Sequence, residues 1–233
     1  MNYKKLLTCL AAFLIFITSS NITLAKEHKK KGKAQQKTIY FAGSLFNHKE
    51  LIGNQYLAKA IETASNDRYK CILPQDIVHD SLDVQKIRDT NFKTIRNADG
   101  ILVNFDGPEL DSGTVTEFMT AKFLRKPAVV YRTDFRLAGD STPENPWNLM
   151  LVNYPLTEKL SSRDVLPIYQ RILAQDKSGQ SVQMTSEKLS AHYATMIVAK
   201  LDKVFKDAEK NPLSDAEKKQ ITQWYNQSVG MSM

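Results

Sequence analysis

The sequence predicts an α/β fold in which a parallel β-sheet is covered by helices on both faces. Short apolar runs alternate with segments of helical spacing, and this alternation is typical of parallel sheets. The run over residues 100–105 is apolar at successive positions, as in a central strand that is buried on both faces. With 42% hydrophobic and 24% charged residues, the 233-residue chain can bury a sizeable core, which excludes a disordered chain and a multi-span membrane protein.

Each element is predicted from a local signal. The first apolar run ends on Gly43, and Pro74 stops the second. Between the runs, apolar residues recur with the spacing of one helical face. Strands are predicted at 38–43, 69–73, 100–105 and 127–131, with a fifth at 148–153, and helices at 51–64, 84–98 and 112–125. Ligands of such sheets bind beyond the carboxyl ends of the strands, so functional residues are expected there.

The last third of the chain is predicted to be helical. An apolar stripe with helical spacing covers residues 189–205. Ser214 and Glu217 have the spacing of a capping box before a final helix that carries Ile221 and Trp224. We expect these helices to pack on the sheet domain; a docking or dimer face is the alternative use of the stripe.

The amino terminus has the pattern of a secretory signal. Lys4 and Lys5 precede an apolar run of 12 residues at 6–17, and Thr23 and Ala25 supply small residues at the two positions that a signal peptidase reads. Residues 1–25 are therefore predicted to be a signal peptide and 26–37 a lysine-rich linker. The exported protein would be periplasmic or secreted, without stable membrane insertion once the signal is cleaved; an uncleaved anchor is the alternative.

The charge of the chain is concentrated in this leader. Of the net charge of +7, residues 1–25 carry +2 and residues 26–33 carry +4, which leaves +1 for residues 34–233. A basic surface for nucleic acid is therefore not expected. Two cysteines exclude a disulfide scaffold and a Cys-rich zinc module, and the four histidines do not form a metal-binding pattern, so no metal site is predicted.

The densest group of polar residues spans 104–117, from the end of the third strand into the third helix. Asp111 fits the usual role of an acid at a helix amino terminus, but Glu117 does not. It shares a largely small and apolar helix face with Gly113, and its side chain should lean over that glycine. We expect the missing side chain to leave room for a ligand beside the Glu117 carboxylate, which could act as a nucleophile.

Several short motifs together resemble the nucleoside 2-deoxyribosyltransferases. They are the segments 40–43, 106–108 and 111–114, Glu117, and the Leu-Arg-Lys-Pro segment at 124–127. The resemblance covers about residues 38–154, in the order and on the elements of that family. It implies a flavodoxin-like, or Rossmann-like, domain with a five-stranded parallel sheet, followed by a helical extension over 155–233.

The resemblance implies a reaction at the N-glycosidic bond of 2′-deoxynucleosides. Glu117 would attack the anomeric carbon and hold the sugar covalently, Tyr40 would orient Glu117 by a hydrogen bond, and Asp111 would hold the sugar hydroxyls. The partners would be a deoxynucleoside and a free nucleobase, with no cofactor. Some family members carry an aspartate where Asn91 stands here, and an amide cannot donate a proton to the leaving base. Asp89, Asp76 and water remain as the sources of that proton.

Further residues are expected to bind substrate. Gln75 and Asp76 follow the second strand, where the base would lie, and Asn91 falls on the inward face of its helix, whereas Asp89 faces nearly the opposite way. The resemblance implies that an asparagine in this region, here Asn153, reaches the site of a neighbouring subunit in a homo-oligomer. The predicted substrate-binding residues are Gly43, Gln75, Asp76, Asp89, Asn91, Asp106, Gly113 and Asn153.

Transfer of deoxyribose between bases is the function that the sequence favours. Hydrolysis of the same bond, with water taking the sugar from Glu117, is one alternative, because exclusion of water cannot be read from a sequence. An exported protein that binds nucleosides or a partner without catalysis is the other, since the resembling family works mostly in the cytoplasm.

Overall fold

The computed structural model describes residues 35–78, 83–137, 142, 144–175 and 182–229. The predicted signal peptide and most of the predicted linker lie outside these residues, so export remains a prediction. No helix within the described ranges is both long enough and apolar enough to cross a membrane.

Five parallel strands form a single sheet in the order β2-β1-β3-β4-β5. This order and the helices on both faces confirm the predicted flavodoxin-like fold. The three inner strands are almost entirely buried, which explains their unbroken apolar sequences. The strands are β1 (Lys37–Ala42), β2 (Tyr69–Ile72), β3 (Gly100–Asn104), β4 (Ala128–Arg132) and β5 (Thr157–Ser161).

Six described helices surround the sheet, and most of them begin at a side-chain cap. Asn47, Asp83 and Asp111 each accept hydrogen bonds from backbone N–H groups of the first turn that would otherwise have no partner. The helices are α1 (His48–Ala64), α2 (Val84–Asn97), α3 (Ser112–Phe123), α4 (Val165–Ala174), α5 (Val182–Lys210) and α6 (Asp215–Val229), with short 3-10 turns at Pro74–Asp76 and Leu149–Leu151.

The predicted fifth strand is wrong. Residues 149–151 form a 3-10 turn, and β5 comes later, at Thr157–Ser161, within the segment predicted as a purely helical extension. This edge strand has the polar sequence Thr-Glu-Lys-Leu-Ser and is only half-buried, so it carries no apolar run that the sequence could reveal. At the other end of the sheet, Lys37, assigned to the linker, is the first residue of β1.

The two faces of the sheet have separate cores. Helices α1 and α5 cover one face, where the apolar stripe of α5 buries Tyr193, Ile197 and Leu201, so the prediction that this stripe packs on the sheet is confirmed. Helices α2 and α3 cover the other face, which includes Tyr40 and Phe118.

Helix α6 packs on the outer side of α2 and α3. The predicted capping box is confirmed, because Glu217 Oε2 accepts hydrogen bonds from the backbone N–H and the hydroxyl of Ser214 at 2.9 and 2.8 Å. Tyr225 is fully buried in the core of this face, and Arg96 of α2 lies over its ring. The last helix therefore completes the core on the face that carries Tyr40.

Candidate active site

A buried hydrogen bond joins β1 to α3 at the carboxyl edge of the sheet. Tyr40, fully buried on β1, donates its hydroxyl proton to Glu117 Oε1 at 2.6 Å. Alternation along the strand directs Tyr40 toward α3, and helical spacing places Glu117 on the side of α3 that faces β1. The structure thus makes the contact that the resemblance implied for these two residues.

The environment of Glu117 changes its acidity. Burial raises the pKa of the carboxyl group to about 7; the hydrogen bond from Tyr40 opposes this rise, and the nearby charge of Asp111 adds to it. Burial and the Glu117 charge raise the pKa of Tyr40, which therefore stays protonated and remains a donor. Near neutral pH the site holds a carboxyl group that changes readily between its acidic and its nucleophilic form.

Asp111 lies beside Glu117 and begins the same helix. Its Oδ2 accepts hydrogen bonds from the backbone N–H and the hydroxyl of Thr114 at 2.7 and 3.0 Å. A Cβ atom on Gly113 would lie only 3.0 Å from that same oxygen. At the Cβ position the glycine therefore makes room for the Asp111 carboxylate, and the room that it leaves for a ligand stays a prediction.

Helix α2 presents Asn91 and Asp89 to different sides, as helical spacing indicates. Asn91 Oδ1 is buried and has no hydrogen-bond partner among the described residues. Asp89 accepts hydrogen bonds from Arg88 at 2.6 and 2.8 Å, and its charge acts on Tyr225 of α6. The structure therefore turns Asn91 inward and Asp89 toward α6.

Gln75 and Asp76 join the turn after β2 to α1. Gln75 donates to the Leu51 carbonyl at 2.9 Å and accepts from Asn54 at 3.3 Å. Asp76 accepts both of its hydrogen bonds from Gln55, at 2.7 and 2.8 Å. In this structure both side chains hold the turn against α1.

Asp106 anchors the loop after β4. Its Oδ1 accepts from the backbone N–H groups of Thr133 and Asp134 at 2.5 and 2.8 Å, and its Oδ2 accepts from the Thr133 hydroxyl at 2.8 Å. Burial raises the pKa of this carboxyl group against these hydrogen bonds. Both carboxylate oxygens are thus engaged within the protein and anchor this loop, and the substrate-binding role of Asp106 stays a prediction.

Arg132, the last residue of β4, holds the same region. It is not among the residues that the sequence predicted for the site. Its guanidinium donates to the carbonyl oxygens of Phe105 at 2.8 Å, Gly107 at 3.2 Å and Arg136 at 3.0 Å. Asp134 and Arg136 form an ion pair in the loop that follows. An arginine at the end of a buried strand is the sequence signal for this inward role.

Gly43 and Asn153 are the remaining residues predicted to bind substrate. Gly43 is buried at the end of β1, and a Cβ atom there would approach Asn104 Cβ to 3.1 Å. Asn153 is exposed, has a left-handed φ of 66°, and accepts a hydrogen bond from Lys159 at 2.9 Å. Its contact with a neighbouring subunit remains a prediction.

Comparison with known proteins supports the resemblance. Residues 39–150 match the family model of nucleoside 2-deoxyribosyltransferases. This part of the chain is similar to that family. The matched segment contains Tyr40, Asp111 and Glu117, whereas β5 and helices α4–α6 follow it. No groups of three or more His, Cys, Asp or Glu side chains that could hold a metal ion are present in the part of the chain that the structure describes.

Three solved structures are similar to part of this chain. A conserved protein from Enterococcus faecalis V583 is 27% identical, with 59% of this chain and 99% of that chain covered and a TM-score of 0.46. A 2-desoxiribosyltransferase from Leishmania mexicana is 26% identical, with coverages of 50% and 86% and a TM-score of 0.41. A 2-deoxyribosyltransferase from Bacillus psychrosaccharolyticus is 19% identical, with coverages of 50% and 81% and a TM-score of 0.35. A search of curated proteins gives no match.

Proposed function

We propose that this protein transfers 2-deoxyribose between nucleobases through a covalent intermediate on Glu117. The observation that carries the proposal is the buried Tyr40–Glu117 hydrogen bond within the segment that matches the family. A half-buried carboxylate with a pKa near 7, held by a protonated tyrosine, suits attack on a carbon that develops positive charge.

The reaction takes two steps at C1′ of the sugar. First, a Glu117 oxygen forms a bond to C1′ while the bond from C1′ to the base nitrogen breaks, and the base leaves with that electron pair and takes up a proton. Then a ring nitrogen of a second base attacks C1′ and releases its proton to water, while the ester bond breaks and Glu117 regains its electron pair. Two inversions at C1′ give net retention of configuration.

The residues around Glu117 are assigned to orienting it and to binding the substrate. Tyr40 orients the attacking carboxylate. Asp111 uses Oδ2 for the helix cap, and its other oxygen, which has no partner among the described residues, is assigned to a sugar hydroxyl. Asn91 is assigned to substrate binding. Because Asp89 is held by Arg88 and Asp76 by Gln55, we assign the proton of the leaving base to water.

Incubation with deoxyinosine, with and without adenine, tests this proposal. Formation of deoxyadenosine supports transfer, and free deoxyribose with no deoxyadenosine means hydrolysis. Binding without turnover would favour the non-catalytic nucleoside-binding protein. A 2′-fluoro-deoxynucleoside should leave a stable sugar adduct on the peptide that contains Glu117, and mass spectrometry without that adduct would contradict the covalent step.

Tyr40→Phe should move the pH profile of the reaction. The hydrogen bond from Tyr40 lowers the pKa of Glu117, so its loss raises that pKa and leaves less carboxylate at neutral pH. The acid limb of kcat/KM, expected near pH 7, should move to higher pH, with a loss of about 10- to 100-fold at pH 6 that is smaller at pH 9.

The matched control is Tyr69→Phe. Tyr69 also donates its hydroxyl proton to a carboxylate, Asp202, at 2.7 Å, but on the other face of the sheet. Its pH profile should coincide with that of the wild type. An unshifted profile in Tyr40→Phe would remove Glu117 as the titrating nucleophile.

Export is proposed from the leader sequence alone. The mature chain found outside the cytoplasm should begin at Lys26 when its amino terminus is sequenced. A protein confined to the cytoplasm with its leader intact would contradict the proposal.

A further inference from the structure

A cavity opens at the carboxyl edge of the sheet, on the face opposite Glu117. It has a volume of about 310 Å³ and lies between α1, α5 and the ends of β3 and β4. Its walls include Leu57 and Tyr131, which belong to the core of the α1 and α5 face, whereas Tyr40 belongs to the core of the other face. We call this space the α1–α5 cavity; its volume is at the lower end of the range for small-molecule sites, about 300–1,000 Å³.

The wall of the α1–α5 cavity contains a glycine, Gly53, that no packing contact requires. Gly53 lies in the interior of α1, where glycine destabilises a helix by about 0.5–1 kcal/mol relative to alanine. A Cβ atom on Gly53 would meet nothing within 4 Å. Packing therefore leaves room for a side chain at this position of the cavity wall.

A buried hydroxyl in the same wall has no partner. Tyr193 of α5 is only 5% exposed, and its Oη makes no hydrogen bond within the described part of the chain. Leaving such a group unsatisfied costs about 1–3 kcal/mol. The side chains of Asn104 and Ser190 line the same cavity, and Asn104 uses only its oxygen, which accepts from the Asp106 N–H at 2.7 Å. A ligand in the cavity would therefore meet several hydrogen-bonding groups.

The lining favours a neutral, flat and polar-edged molecule. One lysine, Lys49, is offset by Glu50 and Asp106, so the cavity offers no net positive charge for a phosphate. Leu57 and Tyr131 provide apolar surface for a ring face. Amide and hydroxyl groups can pair with carbonyl and ring-nitrogen acceptors at the edge of a heterocycle.

We propose that the α1–α5 cavity is a second binding site for a free nucleobase, apart from the reacting site on the other face. The identity of the ligand class rests on the proposed function, in which a base is both released and consumed. Asp106 lies in the cavity wall, and its loop continues to Asp111 at the reacting site. Occupancy of the cavity by excess base is therefore expected to slow turnover.

Equilibrium dialysis with adenine and with cytosine tests the proposal directly. Wild type should bind base in this cavity, and Gly53→Leu, which adds a large side chain to its wall, should bind one base fewer per chain. Gly53→Ala is the matched control, because it adds a single methyl group; it should keep the site and raise the free energy of unfolding by about 0.5–1 kcal/mol. Equal stoichiometry in wild type and Gly53→Leu, or no binding at millimolar base, would overturn the proposal.

Tyr193→Phe keeps the proposal testable should Gly53→Leu fail to fold. Loss of the hydroxyl should weaken base binding about 10-fold if the ligand pairs with it. Unchanged binding, with the increased stability expected from removal of an unsatisfied hydroxyl, would contradict a ligand contact at Tyr193.

Two further measurements separate this proposal from the proposed function. Glu117→Ala should leave base binding in the α1–α5 cavity unchanged whatever it does to turnover. Inhibition of the wild type by excess base should disappear in Gly53→Leu. A cavity that binds base in a protein without transferase activity would support the site and reject the reaction; transfer with no binding in the cavity would do the reverse.

Discussion

Glu117→Ala is expected to lower the turnover of 2′-deoxynucleosides by at least about 10⁴-fold, because the variant has no group that can form the bond to C1′. Binding of the deoxynucleoside should persist, since Asp111 and Asn91 remain. The measurement is deoxyadenosine formation from deoxyinosine and adenine, followed by chromatography. Turnover like that of the wild type would refute the covalent mechanism.

The same position should show opposite effects on activity and stability. The pKa of Glu117 is raised from 4.5 to about 7 by burial, so between these values the folded state binds more protons than the unfolded state. Stability contributed at Glu117 is therefore lost as the pH rises from about 4.5 to 7. Glu117→Gln, which cannot ionise, should gain up to about 3 kcal/mol of unfolding free energy over wild type at pH 8 relative to pH 4.

Glu109→Ala is the control for both measurements. Glu109 lies in the loop that leads to the same helix but is exposed to solvent. Its removal should change neither turnover nor the pH dependence of unfolding. Gain of stability in Glu117→Gln together with loss of turnover is the combination expected of a functional residue held in an unfavourable environment.

The sequence predicted the strands whose burial requires an apolar residue at nearly every position. β1, β3 and β4 are buried on both faces and read as unbroken apolar runs. β5 is an edge strand that pairs on one side only, so its polar sequence satisfies its environment without any periodic signal. Burial pattern predicts central strands well and edge strands poorly for this physical reason.

The candidate site divides along a similar line. The approach of Tyr40 and Glu117 follows from strand alternation and helical spacing, which are local properties. The roles of Asp106 and Arg132 depend on which backbone groups of a distant loop come within reach, and no local pattern encodes that. At Gly113, a Cβ atom would be crowded by the Asp111 side chain, which lies before the helix, so helical spacing alone does not reveal this contact.

Arg132→Met is expected to reduce both stability and activity, and it tests whether the loop at 105–111 must be held for the site to work. Arg132 is 6% exposed, and its guanidinium donates to the carbonyl oxygens of Phe105 and Gly107. Methionine preserves much of the side-chain volume but leaves those carbonyls without their donor, at a cost of about 2–4 kcal/mol in unfolding free energy. Urea unfolding followed by circular dichroism measures this loss.

Arg132→Met is also expected to weaken binding of the deoxynucleoside. The loop ends at Asp111, which caps α3 and lies beside Glu117, so a loosened loop should displace the group assigned to the sugar hydroxyls. We expect KM for the deoxynucleoside to rise about 10-fold. Because the Asp111 charge helps to raise the pKa of Glu117, its displacement should also move the acid limb of the pH profile to lower pH. Arg136→Met is the control, since Arg136 is exposed and its ion pair with Asp134 should contribute little to stability. Equal effects of the two substitutions would mean that the buried carbonyl contacts of Arg132 do not position the site.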